Sequence, residues 1–258
     1  LAHLLLLDIR LLAKTKVFAF KLILLPLALI LILGSMFGGS DTQPVTIMAY
    51  ESVAMMVMFS ILTAFELAHS IVHDKLNHTL SRIRSTPTLT LQYALGKLLG
   101  ITLALSVQMA VILTASRLIF GVVWPHIPAV ILVTVAYGVA IGAIVLVCGL
   151  AAKDQAAISS FSAPILYGFS FLGGSFVDKY SFPGALRLIQ QAIPNGKALN
   201  AYLSLLQGKG LQAIYPDLLM LVTTGAVFFG IALCLLNRRR GSDHARITSR
   251  HEAASADA

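Results

Sequence analysis

The chain has 258 residues, of which 57% are hydrophobic and only 12% charged, whereas ordinary soluble domains carry roughly 45–50% and about 25%. That balance argues against a soluble globular enzyme and for a chain solvated by lipid. A formal net charge of +8 does not mark a nucleic-acid binder, because Lys and Arg sit beside apolar runs and at the C-terminus, not on a soluble face interleaved with aromatics.

The first element expected is an N-terminal helix over residues 1–16. His3, Arg10, Lys14 and Lys21 recur at offsets of seven, four and seven and share one helical stripe among leucines. Such a helix lies in the membrane interface, Arg10 and Lys14 facing lipid headgroups or an acidic partner; alternatively it is a positive flank that only sets topology. A secretory signal is not expected, since Asp8, Arg10, Lys14 and Lys16 follow the apolar part and no Ala-x-Ala cleavage pattern appears.

Six apolar runs follow: Val17 to Phe37, Thr46 to Val72, Leu91 to Phe120, Ile127 to Ala152, Ala157 to Gly174 and Pro216 to Leu236. As helices, runs of about 17–25 residues cross a hydrocarbon core of roughly 30 Å. The expected fold is therefore an all-α integral membrane protein of six transmembrane helices. Arg10, Lys14 and Lys16, then Lys75, Arg82, Arg84 and Lys97, then Lys153, then Arg238, Arg239 and Arg240 occupy alternate flanks. The positive-inside bias makes that side cytoplasmic and puts both termini there. Cys148 and Cys234 fall inside predicted spans without CxxC or Cys/His spacing, so neither a disulfide framework nor a metal site is expected.

The second run carries Glu51 towards its outer end and Glu66, His69 and His73 towards its inner end. Ionisable groups at membrane depth are candidates for function. Glu66, His69 and His73, at offsets of three and four, share a face and suit a metal or proton role, or are hydrated groups near the interface. Glu51 and Glu66 are candidates for the translocation pathway. Met48, Met55, Met56 and Met58 form an adaptable apolar surface.

Between the second and third runs, Leu76, Leu80 and Ile83 lie at i, i+4 and i+7, with Lys75, Asn77, His78, Arg82 and Arg84 on the remaining surface. The pattern fits a short cytoplasmic amphipathic helix, or else a solvated loop, and Pro87 ends it by disfavouring helix at Thr86. Further on, Ser175 to Tyr215 mixes Pro183, Gly184, Pro194, Asn195, Gly196 and Gly208 with apolar stretches. Short re-entrant helices in the outer leaflet are expected there, because non-helical backbone at that depth needs protein or water beside it. The polar, aperiodic tail 241–258 is expected to be disordered and cytoplasmic.

The run Asp74-Lys75, Thr79-Leu80, Arg82, Arg84-Ser85-Thr86-Pro87 and Gly96-Lys97-Leu98 resembles the signature of ABC type-2 (ABC-2) exporter permeases. Gly173-Gly174-Ser175-Phe176 and Pro194-Asn195-Gly196-Lys197-Ala198-Leu199 resemble the outer re-entrant region of the same family, so the resemblance covers residues 1–240. Where the family usually has Glu-Arg-Glu this chain has His73-Asp74-Lys75, and His78 replaces the Gly before the Thr. The resemblance implies a coupling helix that docks on an ATPase, with that role falling on Asp74, Lys75, Thr79, Leu80, Arg82, Arg84 and Pro87.

It further implies two six-span halves, as a homodimer or a heterodimer with a homologous permease, and two ABC ATPase subunits. The chain has no G-x-x-x-x-G-K-[ST] phosphate loop, so ATP and Mg would bind to the partner ATPase and no cofactor to this chain. The function implied is export of an amphipathic or lipid-like molecule, such as a drug or antibiotic, across a bacterial plasma membrane. An ion-coupled secondary transporter built on Glu51, Glu66 and His69 is the alternative, although inverted repeats and paired broken spans are lacking. An intramembrane enzyme has neither HExxH nor Gly-x-Ser-x-Gly to support it.

Overall fold

A computed structural model describes residues 24–37, 47–77, 90–175, 190 and 192–256. Seven helices follow in order: α1 (Leu25–Phe37), α2 (Ile47–Leu76), α3 (Thr90–Phe120), α4 (Ile127–Ala151), α5 (Gln155–Leu172), α6 (Pro194–Leu206) and α7 (Leu211–Ala256). Among the described residues no strand occurs. In hydrocarbon a peptide group must find its hydrogen bond within its own segment, and apolar runs rich in Leu, Ile and Ala do so as helices. Among the described residues four stretches are long and apolar enough to cross a membrane: Ile47–Leu76, Leu91–Phe120, Ile127–Ala151 and Leu211–Arg238.

Local chemistry sets the helix ends. Asp154 caps α5, its carboxylate accepting from the Ala157 amide at 2.7 Å, which satisfies one of the orphan N–H groups of the first turn. Pro128 and Pro194 stand at the starts of α4 and α6, where a missing N–H costs nothing. Gly174, at φ 90°, turns the chain out of α5 through a conformation that a side chain would oppose.

Helix α2 is the axis of the bundle, packing against α1, α3, α4, α5 and α6. Helix α4 is buried between α2, α3 and α7. Small residues let these rods approach: a Cβ on Gly225 of α7 would stand 2.9 Å from Val139 Cγ1 of α4. Without a water-driven hydrophobic effect between spans, such close packing supplies much of the association. Helix α7 contributes little to the core and exposes Tyr215, Leu219, Val222 and Val227.

The structure shifts several expected boundaries. The second run does not stop at Val72 but continues as helix to Leu76, so Asp74 and Lys75 ride on the same rod as Glu66. The fifth begins at Gln155 because of the Asp154 cap. The last begins at Leu211, carrying Pro216 inside it. Its backbone remains helical to Ala256: adding a residue to an existing helix is far easier than starting one. Of the first run, the described part is the 13 residues of α1. The interfacial helix with Arg10 and Lys14, and the positions Thr79, Leu80, Arg82, Arg84 and Pro87, lie outside the described residues.

Candidate functional site

Two networks of hydrogen-bonded polar side chains join the helices, one towards each end of the bundle. At one end, α2 presents His69, Ser70, Asp74 and Lys75 over its last turns. Tyr93 and Lys97 of α3, four residues apart and so on one face, meet them. Lys97 is only 4% exposed, and its ammonium lies 3.0 Å from Asp74 Oδ2 while donating to Ser70 Oγ at 3.1 Å. The Ser70 hydroxyl passes its own proton to the Leu67 carbonyl at 2.8 Å, leaving its lone pairs for the ammonium. The Tyr93 hydroxyl donates to Asp74 Oδ2 at 3.3 Å. A buried charge is tolerated when paired and hydrogen-bonded in this way.

Two further contacts extend the cluster to the α4–α5 turn. Lys75 donates to the carbonyl oxygen of Ala152, the C-cap of α4. His69 Nδ1 donates to Gln155 Oε1, and Gln155 Nε2 returns a bond to the His69 carbonyl at 3.2 Å. An amide oxygen only accepts, so the imidazole proton resides on Nδ1. The end of α2 is thereby tied to α3, α4 and α5 at once.

The opposite end is held mainly by neutral groups, with one ion pair. Asn195, fully buried at the start of α6, donates through Nδ2 to the Phe169 carbonyl at 3.2 Å and Ser175 Oγ at 3.3 Å. Its Oδ1 lies 2.6 Å from the Tyr137 hydroxyl, whose one proton is shared with the Val57 carbonyl at 2.8 Å. Lys197 pairs with Asp217 at 3.1 Å, fastening α6 to α7. The Pro-Asn-Gly-Lys run is thus a fastening point for four helices. Nearby, Tyr50 donates to the Gly174 carbonyl. An apolar groove of about 570 Å³ between α4 and α7, lined by Leu132, Ala136, Tyr215 and Leu218, carries no carboxylate, imidazole or basic side chain.

The predicted site residues separate accordingly. Asp74 and Lys75 turn their side chains onto their own chain. Glu51 is half-buried near the neutral end, whereas Glu66 is exposed on α2. His69 engages Gln155 rather than Glu66 or His73, and His73 pairs with the Asn77 amide one turn on. Among the described residues no three His, Cys, Asp or Glu side chains converge to hold a metal. Tyr93 and Gln155 had escaped attention, and Lys97 had counted only as a topological charge and part of Gly-Lys-Leu. The available signal was its place inside an apolar helix, where an ammonium requires a carboxylate.

The family model described as ABC-2 family transporter protein matches residues 46–234, a stretch that runs from the start of α2 into α7 and contains both polar clusters. The chain belongs to that family. It is therefore a multi-pass membrane protein and the membrane component of a transporter, of a kind that typically works with ABC ATPase partners. A search of the curated proteins finds no match. The Asp74–Lys97 cluster brackets, in sequence, the segment whose resemblance implied coupling, and it bonds α2 to α3.

Proposed function

We propose that this ABC-2 protein is one membrane half of an ATP-driven exporter, without an ATPase site of its own, that moves an amphipathic or lipid-like molecule such as a drug or antibiotic out of a bacterial cell. Six crossings, with α6 in an outer re-entrant region, form one half; a second copy or a homologous permease forms the other. The charged end and both termini face the cytoplasm. Two ATPase subunits, holding ATP and Mg, dock on the segment that includes Thr79, Leu80, Arg82, Arg84 and Pro87, while Arg10 and Lys14 rest at the membrane interface.

The observation that carries this reading is the cluster at the end of α2. Asp74 and Lys75 sit at the last turn before the docking segment and are bonded to α3 and to the α4–α5 turn. Closure of the ATPase dimer moves the docking segment; Asp74 passes that displacement to α3 through Lys97, and Lys75 passes it to the α4–α5 turn. The helices move as packed units because interfaces between them switch between discrete arrangements rather than deform continuously. Their movement opens the path between the two halves, with Glu51 and Glu66 along it, first to one side and then to the other.

Reconstitution with the ATPase in liposomes tests the assignment. Charge reversal at Arg82 and Arg84 is expected to abolish co-purification of the ATPase and ATP-driven transport together. If both survive the reversal, the docking assignment is wrong. Transport that runs on an ion gradient with neither ATP nor ATPase would make the protein a secondary carrier.

A further inference from the structure

We propose that Glu66 and the serine edge of α5 select the charge of the cargo, and that the molecule this protein favours is an amphiphile with a cationic head. The proposal rests on the permease reading above and narrows its substrate class.

Helix α2 is buried almost throughout, but over its last turns Leu62, Glu66, His69 and His73 are open or half-open. Their offsets of four, three and four make them one stripe. His69 in that stripe touches Gln155, so the stripe borders α5. Nineteen residues towards the other end, Tyr50 reaches Gly174, itself nineteen residues beyond Gln155. The two segments therefore run antiparallel without slippage over roughly 28 Å of helix. In that register Glu66 comes level with Ile158, one residue before Ser159, and Leu62 level with Ser162.

The chemistry of this edge has one sign. The hydroxyls of Ser159, Ser160 and Ser162 donate back to the carbonyls of Gln155, Ala156 and Ser159 at 3.2, 2.9 and 2.7 Å. Their protons are spent, and what they turn outward is lone pairs. An ionised carboxylate also only accepts. Glu66 thus stands among acceptors, and of the lysines at the end of α2 and the start of α3, Lys97 is committed to Asp74 and Lys75 to Ala152. A headgroup rich in N–H donors, or carrying a diffuse positive charge, complements such an edge; an anionic headgroup is repelled. Eight residues separate Glu66 from Asp74, about 12 Å along the helix, so the carboxylate stands well inside the apolar stretch Ile47–Leu76, in a kind of segment where a charge facing lipid is strongly disfavoured. Leu62 on α2, with Tyr167 exposed on α5, supplies apolar surface for the body of such a molecule, and an aromatic face adds attraction for a cation.

Tetraphenylphosphonium and its anionic counterpart tetraphenylborate share shape and hydrophobicity and differ in charge. Equilibrium binding of each to the purified full-length permease, without ATPase, reads the inference independently of transport. The wild type is expected to prefer the cation; E66Q should weaken cation binding by about tenfold, the scale of one lost charge contact, leave the anion no weaker, and E66D should retain most of the cation preference. Equal binding of the two probes by the wild type, or an unchanged ratio in E66Q, overturns the proposal. So does loss of the dimer in E66Q on size-exclusion chromatography, which would make Glu66 a partner for a cation of the second copy. The permease reading fails separately, if the cation binds with the expected preference but ATP with the ATPase moves neither probe in liposomes.

Discussion

The Lys97 ammonium and the Asp74 carboxylate face each other at 3.0 Å across the α2–α3 interface, although the two residues stand 23 positions apart in the chain. Ser70 and Tyr93 complete their coordination, so neither charge relies on solvent. The pair fastens the end of α2 to the start of α3.

Removing one partner leaves the other charge stranded. Replacement of Lys97 by Met is expected to destabilise the protein by about 3 kcal/mol, the lower part of the range for breaking a buried pair, because the Asp74 side chain keeps partial access to solvent. D74N in the same chain as K97M is expected to recover much of that loss, since no lone charge remains. Thermal unfolding in detergent measures both. Equal melting temperatures for the single and double variants would show that the pair is not coupled.

The register of α2 against α5 makes a chemical prediction. With Cys148 and Cys234 replaced, a cysteine pair at Glu66 and Ser159 is expected to cross-link readily with a short bifunctional reagent, and so is a pair at Leu62 and Ser162. A pair at Glu66 and Leu166, displaced by roughly 10 Å along α5, is expected not to. Reversal of that order, read by mobility shift after proteolytic nicking between the helices, would mean that the two rods slide past each other in the membrane.

At the neutral end, Asn195 satisfies groups on α4 and α5 from a fully buried position. N195A is expected to cost about 2–4 kcal/mol, because several buried polar groups lose their partners together at about 1–3 kcal/mol each. Y137F removes one shared proton and is expected to cost about 1 kcal/mol. Unfolding midpoints distinguish the two, and a larger loss for Y137F than for N195A would contradict the assignment of Asn195 as the centre of the cluster.

Much of the architecture was legible in the chain itself. Long apolar runs interrupted by Lys and Arg set the helical, membrane-crossing character, since an unbonded peptide group in lipid is too costly for any other local outcome. The Asp-Lys, Arg-Ser-Thr-Pro and Gly-Lys-Leu pieces pointed to the family. Helix ends were less legible. Asp154 moved one start by its side-chain cap, and α7 ran on past Arg240 because extension of an existing helix meets little resistance.

Which side chains meet was beyond the reach of the chain read alone. Hydropathy states that Lys97 is embedded, but not that its counter-charge is Asp74, 23 positions earlier, or that Lys75, next in sequence, turns instead to the backbone of Ala152. The spacing of Glu66, His69 and His73 is common to a metal site and to a helix edge, and only the arrival of Gln155 from α5 assigns the imidazole. Sequence determined the helices, because hydrogen bonding within a rod in lipid is local. Tertiary structure decided the pairs, because the rotation and register of one rod against another depend on how all the rods pack at once.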